Sequence, residues 1–109
     1  MAKYVNKNSD GNLEVKLEVR LDAALAPVYM DELRVYTKQD IKKILLFAGE
    51  TEYMSSAGIR VILFAKQKIS QDAEVCLIAP KPFVTETLQL TGLYDYLTVL
   101  DDYEGKTTI

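Results

Sequence analysis

The sequence predicts an α/β (or α+β) domain with a mixed sheet that opens on an N-terminal β-hairpin. Three observations carry this. The run 13–21 alternates apolar Leu13, Val15, Leu17, Val19 and Leu21 with polar Glu14, Lys16, Glu18 and Arg20, the period of a half-buried strand. Two compact apolar runs, 41–48 and 74–79, have strand length and no polar alternation, as in strands buried on both faces. Between these runs lie stretches whose apolar residues recur at helical spacing.

Residues 3–7 are a short extended segment, and Ser9-Asp10-Gly11-Asn12 is turn chemistry in which Gly11 is free to take positive φ. The alternating run supplies the second arm of the hairpin. After it, Asp22 to Pro27 breaks the pattern. Pro27 suits the first position of a helix, and Met30, Leu33 and Tyr36 then follow one face. Residues 41–48 form a central strand, and 56–70 a helix opened by a serine. The strand 74–79 stops at Pro80 and Pro82. A short helix over 83–90 places Val84 and Leu88 on one side, with Gly92 as its left-handed C-cap and Leu93 folding back on its end. Residues 96–100 are a last short strand, and the acidic tail a helical turn. Strands alternating with helices imply right-handed parallel crossovers after the hairpin. No repeat or linker interrupts residues 1–109, which are read as one domain.

Composition narrows the function. Thirteen basic residues stand against sixteen acidic ones, a net charge of −3, and the basic residues are scattered. Nucleic-acid binders concentrate positive charge against phosphates, so none is expected as a partner. Spanning a bilayer takes about 20 mostly apolar residues, and the longest apolar runs here are far shorter, which argues against membrane insertion. The start of the chain carries no secretory pattern, and a lone Cys76 cannot form an internal disulfide. Both fit a reducing cytoplasm, with Cys76 an inert core thiol. The chain has no histidine, which removes Ser-His and Cys-His nucleophiles and histidine metal sites. Its five glycines are too dispersed for a phosphate loop. No cofactor, no metal and no catalytic residue is expected: the chain is read as a protein-binding module, not an enzyme.

The informative segment is Met54-Ser55-Ser56-Ala57-Gly58-Ile59-Arg60-Val61-Ile62-Leu63, at the junction of the central strand and the following helix. Ser56 is placed to cap that helix. Ala57 and Gly58 are small enough to let its start approach a neighbour. Gly58, Ile62, Ala65 and Ile69 gather on a core face, flanked by Ile59 and Val61, whereas Ser56, Arg60, Phe64 and Gln67 gather opposite. A phenyl ring on that polar side points to a protein contact. Asp22 is a turn or capping aspartate, or a further contact. Tyr29, Tyr36, Tyr53, Tyr94, Tyr96 and Tyr103 are read as core-edge residues whose hydroxyls reach water.

This segment resembles the signature of STAS domains, the modules shared by sulphate transporters and bacterial anti-sigma factor antagonists. Leu21-Asp22 through Pro27 is similar to the segment before the family's first helix, and Leu90-Thr91-Gly92-Leu93 to its late turn. The resemblance implies a four- to five-stranded mixed sheet with helices mainly on one side. It also implies partner switching. An antagonist binds an anti-sigma factor that is also a serine kinase, the kinase phosphorylates the motif serine, and a phosphatase reverses the mark. Ser56 holds that serine's position and Ser55 is a second acceptor. Asp22, Ser55, Ser56, Ala57, Gly58, Arg60, Phe64 and Gln67 form the expected partner-binding set. Ser55, Phe47 and Val19 stand where many members carry an acid, an Asp or Asn, and a glycine. The other function consistent with the resemblance is a STAS subunit of an ABC-type lipid transport system that binds its ATPase.

Overall fold

The structure is a computed structural model and describes residues 3–70 and 72–102. Five strands form the main sheet: β1 (Val5–Lys7), β2 (Leu13–Lys16), β4 (Lys43–Phe47), β6 (Glu74–Ile78) and β7 (Thr98–Leu100), in that spatial order. A small second pair joins β3 (Arg20–Leu21) to β5 (Tyr53–Met54) in parallel. The hairpin β1–β2 is antiparallel and every other pairing in the main sheet is parallel. Gly11 takes φ 82° at the hairpin turn. There Asn8 Oδ1 accepts the N–H groups of Asp10 and Asn12, both at 3.0 Å.

The helices are α1 (Ala26–Arg34), α2 (Ser56–Phe64) and α3 (Pro82–Thr91). A π-helical turn, Ala65–Ile69, extends α2, and a 3₁₀ turn, Leu93–Tyr96, follows α3. Sequence order and spatial order run the same way from β2 to β7, so right-handed crossovers bring all three helices to one face of the sheet. Strand alternation then sorts the core. Leu13, Val15, Ile44, Leu46, Val75 and Leu77 face the helices within the large buried cluster. Leu45, Cys76 and Ile78, with half-buried Phe47 and Leu100, make a smaller cluster on the opposite face. The expected central strand is therefore buried on both sides. Burial pushes the Cys76 thiol above its ordinary pKa, and the neighbouring Glu74 carboxylate adds to the shift.

The alternating run departs from expectation in two ways. Glu14 lies in the middle of the sheet, level with Leu45 on the strand beside it, and is fully buried rather than solvated. Asn8 Nδ2 donates to its carboxylate at 2.9 Å. Second, the run is not one strand. After Lys16 the chain leaves the main sheet and pairs with β5, so Val19 turns outward and is 44% exposed. Its carbonyl accepts the N–H groups of Glu52 and Tyr53.

Tyr29 holds that break. It is fully buried, against the expectation that its hydroxyl reaches water. The hydroxyl donates to Lys16 O at 2.6 Å and accepts from Glu18 N at 2.9 Å, so it satisfies backbone groups where the strand is interrupted. Its ring stacks on Tyr4 at a centroid distance of 4.5 Å. Glu32, one turn further along α1, accepts from Lys3 N, Tyr4 N and Val5 N through a single carboxylate oxygen. Helix α1 is thereby tied to the first strand and to the break in the second.

At the C-terminal side the expectations for α3 hold: Val84 and Leu88 are fully buried, Gly92 caps with φ 78°, and Leu93 is 7% exposed. Helix α1 begins at Ala26, with Pro27 in its first turn. The expected helical turn in the acidic tail lies outside the described residues. Tyr29→Phe is expected to destabilise the fold by about 2 kcal/mol in urea melts, because Lys16 O and Glu18 N lose their partner in a buried site. Burial also raises the Tyr29 pKa above its ordinary value. The folded state then keeps a proton that the unfolded chain releases. Stability is complete below pH about 10 and declines as pH rises beyond it. Urea melts from pH 8 to 11 should show a shallower alkaline decline in Tyr29→Phe than in the wild type.

Candidate functional site

The site is built where the small sheet feeds α2. Ser55 N donates to Leu21 O at 3.0 Å, which carries the β3–β5 pairing one residue further and sets Ser55 beside Asp22. Ser55 is extended (φ −87°, ψ 176°), and its Oγ accepts from Gly58 N at 3.3 Å. Ser55, not Ser56, is therefore the N-cap. Ser56 is the first helical residue and is exposed. The expectation that Ser56 caps the helix is corrected by one position, which leaves its hydroxyl outside the capping bond.

Gly58 explains the location of α2. A Cβ on residue 58 would lie 2.3 Å from Leu21 O and 2.9 Å from Leu21 Cγ. Backbone cannot yield at that distance, so the first turn of α2 reaches β3 only without a side chain there. Gly58, Val61, Ile62, Ala65 and Ile69 are all buried. Ala57 and Ile59 are half-buried on either side, and Arg60 and Gln67 are exposed.

Phe64 does not join that exposed face. It is half-buried and packs against the main core cluster. Leu63 takes its place on the surface, at 38% exposure. The helical wheel gives the reason: Phe64 lies about 80° round from Ser56 but Leu63 only about 20°. The ridge that α2 presents to solvent is thus Ser56, Arg60, Leu63 and Gln67. It runs between two hollows. One, about 320 Å³, lies towards α1 and includes Ala57 and Arg60 in its wall. The other, about 800 Å³, lies towards α3 and includes Leu63 and Gln67.

Asp22 behaves as a turn-former. Its Oδ1 accepts Ala24 N at 3.1 Å and its carbonyl accepts Ala26 N at 2.9 Å, which starts α1. Its other oxygen lies 3.6 Å from Arg20 Nε. Arg20 in turn stands 4.4 Å from the centroid of Tyr53, and Tyr53 stacks on Phe83 at 6.3 Å. This exposed Arg20–Tyr53–Phe83 column lies on the strand pair that leads into Ser55. No local pattern signals it, because the three residues meet only through the β3–β5 pairing and the packing of α3. Among the described residues no group of three or more Cys, Asp or Glu could hold a metal ion, and no helix is long and apolar enough to cross a membrane.

The STAS domain model matches residues 3–105. The chain belongs to the STAS domain family. Its five-stranded mixed sheet, N-terminal hairpin and three helices on one face are the fold that the sequence resemblance implied. The "Putative anti-sigma factor antagonist BtrV" of Bordetella bronchiseptica is 29% identical over 97 residues, covering 88% of this chain and 84% of the relative.

The cap assignment separates the two serines by a stability measurement. Ser55→Ala should lower stability by about 1 kcal/mol through loss of the cap, whereas Ser56→Ala should stay within about 0.5 kcal/mol of the wild type. Gly58→Ala should lose up to about 3 kcal/mol to overpacking, outweighing the about 1 kcal/mol of helix propensity that alanine gains. Thermal and urea melts of the three variants check the order.

Proposed function

We propose that the chain is a cytoplasmic, non-enzymatic anti-sigma factor antagonist that binds an anti-sigma factor/serine kinase, with Ser56 as the phosphorylated residue of the switch. The observation that carries this is the division of labour at the start of α2: Ser55 caps the helix and Ser56 presents an exposed hydroxyl one residue later. A kinase reaches that hydroxyl without uncapping the helix. The relative's name supports the antagonist role.

Phosphate would add a charge of about −1.5 to −2 at Ser56. A helix N-terminus tolerates negative charge, so the fold persists while the surface changes sign and bulk. Arg60, four residues on along the ridge, is placed to share that charge. A partner fitted to the neutral ridge would then meet a solvated dianion, whose desolvation opposes binding. A phosphatase resets the surface. The partner-binding face consists of Asp22, Ser55, Ser56, Ala57, Arg60 and Gln67. Gly58 contributes by setting the helix close to β3, and Phe64 by holding its far side to the core.

The test is to recover the tagged protein from its own cells, identify the ATPase that accompanies it, and supply ATP to the pair. A histidine-kinase-like ATPase that phosphorylates wild type and Ser55→Ala, but not Ser56→Ala, is the expected result. Ser56→Asp should weaken the complex at least about tenfold with little change in melting temperature. Phosphate on Ser55 would overturn the residue assignment. A membrane-transport ATPase in place of the kinase would move the chain to a lipid-transport system.

A further inference from the structure

The larger hollow has a chemistry of its own. One wall is formed by Ile59, Leu63 and Lys66 from α2 and its π-helical end, and the other by Gly92, Leu93 and Tyr96 after α3. Leu93 and the half-buried Ile59 pack into the core, whereas Leu63 and Tyr96 remain 38% and 67% exposed. The lining is apolar except for two uncharged polar residues and one charge, Lys66. Lys66 takes part in none of the ion pairs among the described residues, and no carboxylate lines the hollow. In a chain of net charge −3, an unpaired cation is thus set in an apolar trough. The helix widens to π geometry at this point, a departure that recurs at functional sites. Leu63 belongs also to the ridge that begins at Ser56, so the trough continues that surface.

We propose that this trough docks an acidic amphipathic helix of a partner protein, with apolar side chains between Leu63 and Tyr96 and a carboxylate on Lys66. Apolar walls with exposed rims suit an element laid along them, the helix-in-groove mode, better than a small molecule, which a site normally encloses. The single uncompensated cation selects the sign of the partner's charge and its register along the trough. The identity of the protein that supplies the helix rests on the partner-binding function proposed above; the chemistry of the trough does not.

The test is a titration of the isotope-labelled full chain, followed by amide NMR shifts, with two designed helical peptides. Both carry Leu at i, i+3, i+4 and i+7; one has Glu at the flanking positions and its twin has Lys. The acidic peptide should shift the amides of Leu63, Lys66, Leu93 and Tyr96 and bind at least about tenfold tighter than its twin. Lys66→Glu, at a half-buried position and with a spectrum that shows whether it is folded, should reverse that preference. The titration uses designed peptides and the unphosphorylated chain, so its outcome does not depend on phosphorylation of Ser56, and failure of the phosphorylation switch and failure of the trough are told apart. Equal binding of the two peptides, no shifts at the trough, or shifts confined to the Tyr53–Phe83 stack would overturn the proposal. So would concentration-dependent shifts at the trough without peptide, which would assign it to a second copy of the chain.

Discussion

Helix α2 lies where it does because residue 58 has no side chain. With a Cβ at that position the backbone oxygen of Leu21 would be only 2.3 Å away, so the first turn of the helix and strand β3 could not coexist as they stand. Much follows from that contact. The β3–β5 pairing continues into the bond from Ser55 N to Leu21 O, Ser55 is held extended, and its hydroxyl oxygen faces the N–H of Gly58 itself. The glycine is both the point of closest approach and the donor to the cap. One residue therefore fixes the start of the helix in position and in register, and the next exposed side chain in line is Ser56.

That local arrangement is anchored at longer range by buried polar contacts. Tyr29 satisfies Lys16 O and Glu18 N at the point where the chain leaves the main sheet, and without such a bridge the interruption would leave backbone groups unpaired in the core. The interruption has a purpose in the architecture. It lets residues 20–21 swing away from β2 to meet β5, and that pairing positions Asp22 beside the serines. Glu32 ties α1 to the first strand through three backbone N–H groups, so the hairpin and α1 reinforce one another. A new charge at the start of α2 would leave these contacts intact, because none of them involves the exposed ridge.

Much of the fold was legible because apolar periodicity reports burial directly. The runs around Ile44–Phe47 and Val75–Ile78 read as buried strands from their length and unbroken apolar character, and Gly92 as the cap of the helix before it; the structure has both. Two errors share one physical origin: a sequence pattern shows which faces are apolar but not what lies opposite them. Glu14 alternates as a surface residue should, yet its neighbours across the sheet bury it. Val19 continues the apolar series, yet the strand has ended before it is reached. At the site, Ser55 and Ser56 are adjacent and chemically identical. Which one caps is decided by the bond from Ser55 N to Leu21 O, a contact across many residues that no local pattern records. The exchange of Phe64 for Leu63 is different, since the angle of each residue on the helical wheel already contained it.

The corrected ridge changes how a partner would be held. A phenyl ring at position 64 would have made one large anchor on an otherwise polar face. Leu63 offers less area, but it stands at the lip of a trough whose other wall carries Leu93 and Tyr96, so its apolar surface is continuous with theirs. In the proposed arrangement affinity would come from the trough and control from the ridge. The exposed hydroxyl of Ser56 lies about two turns from Leu63, where the proposed phosphate would not need to enter apolar surroundings to be felt. It would act at the edge of the contact, where a partner must shed water from the new charge to stay seated. Separating the anchor from the residue proposed to carry phosphate would let the surface bind firmly in one state and release in the other, with the same backbone in both.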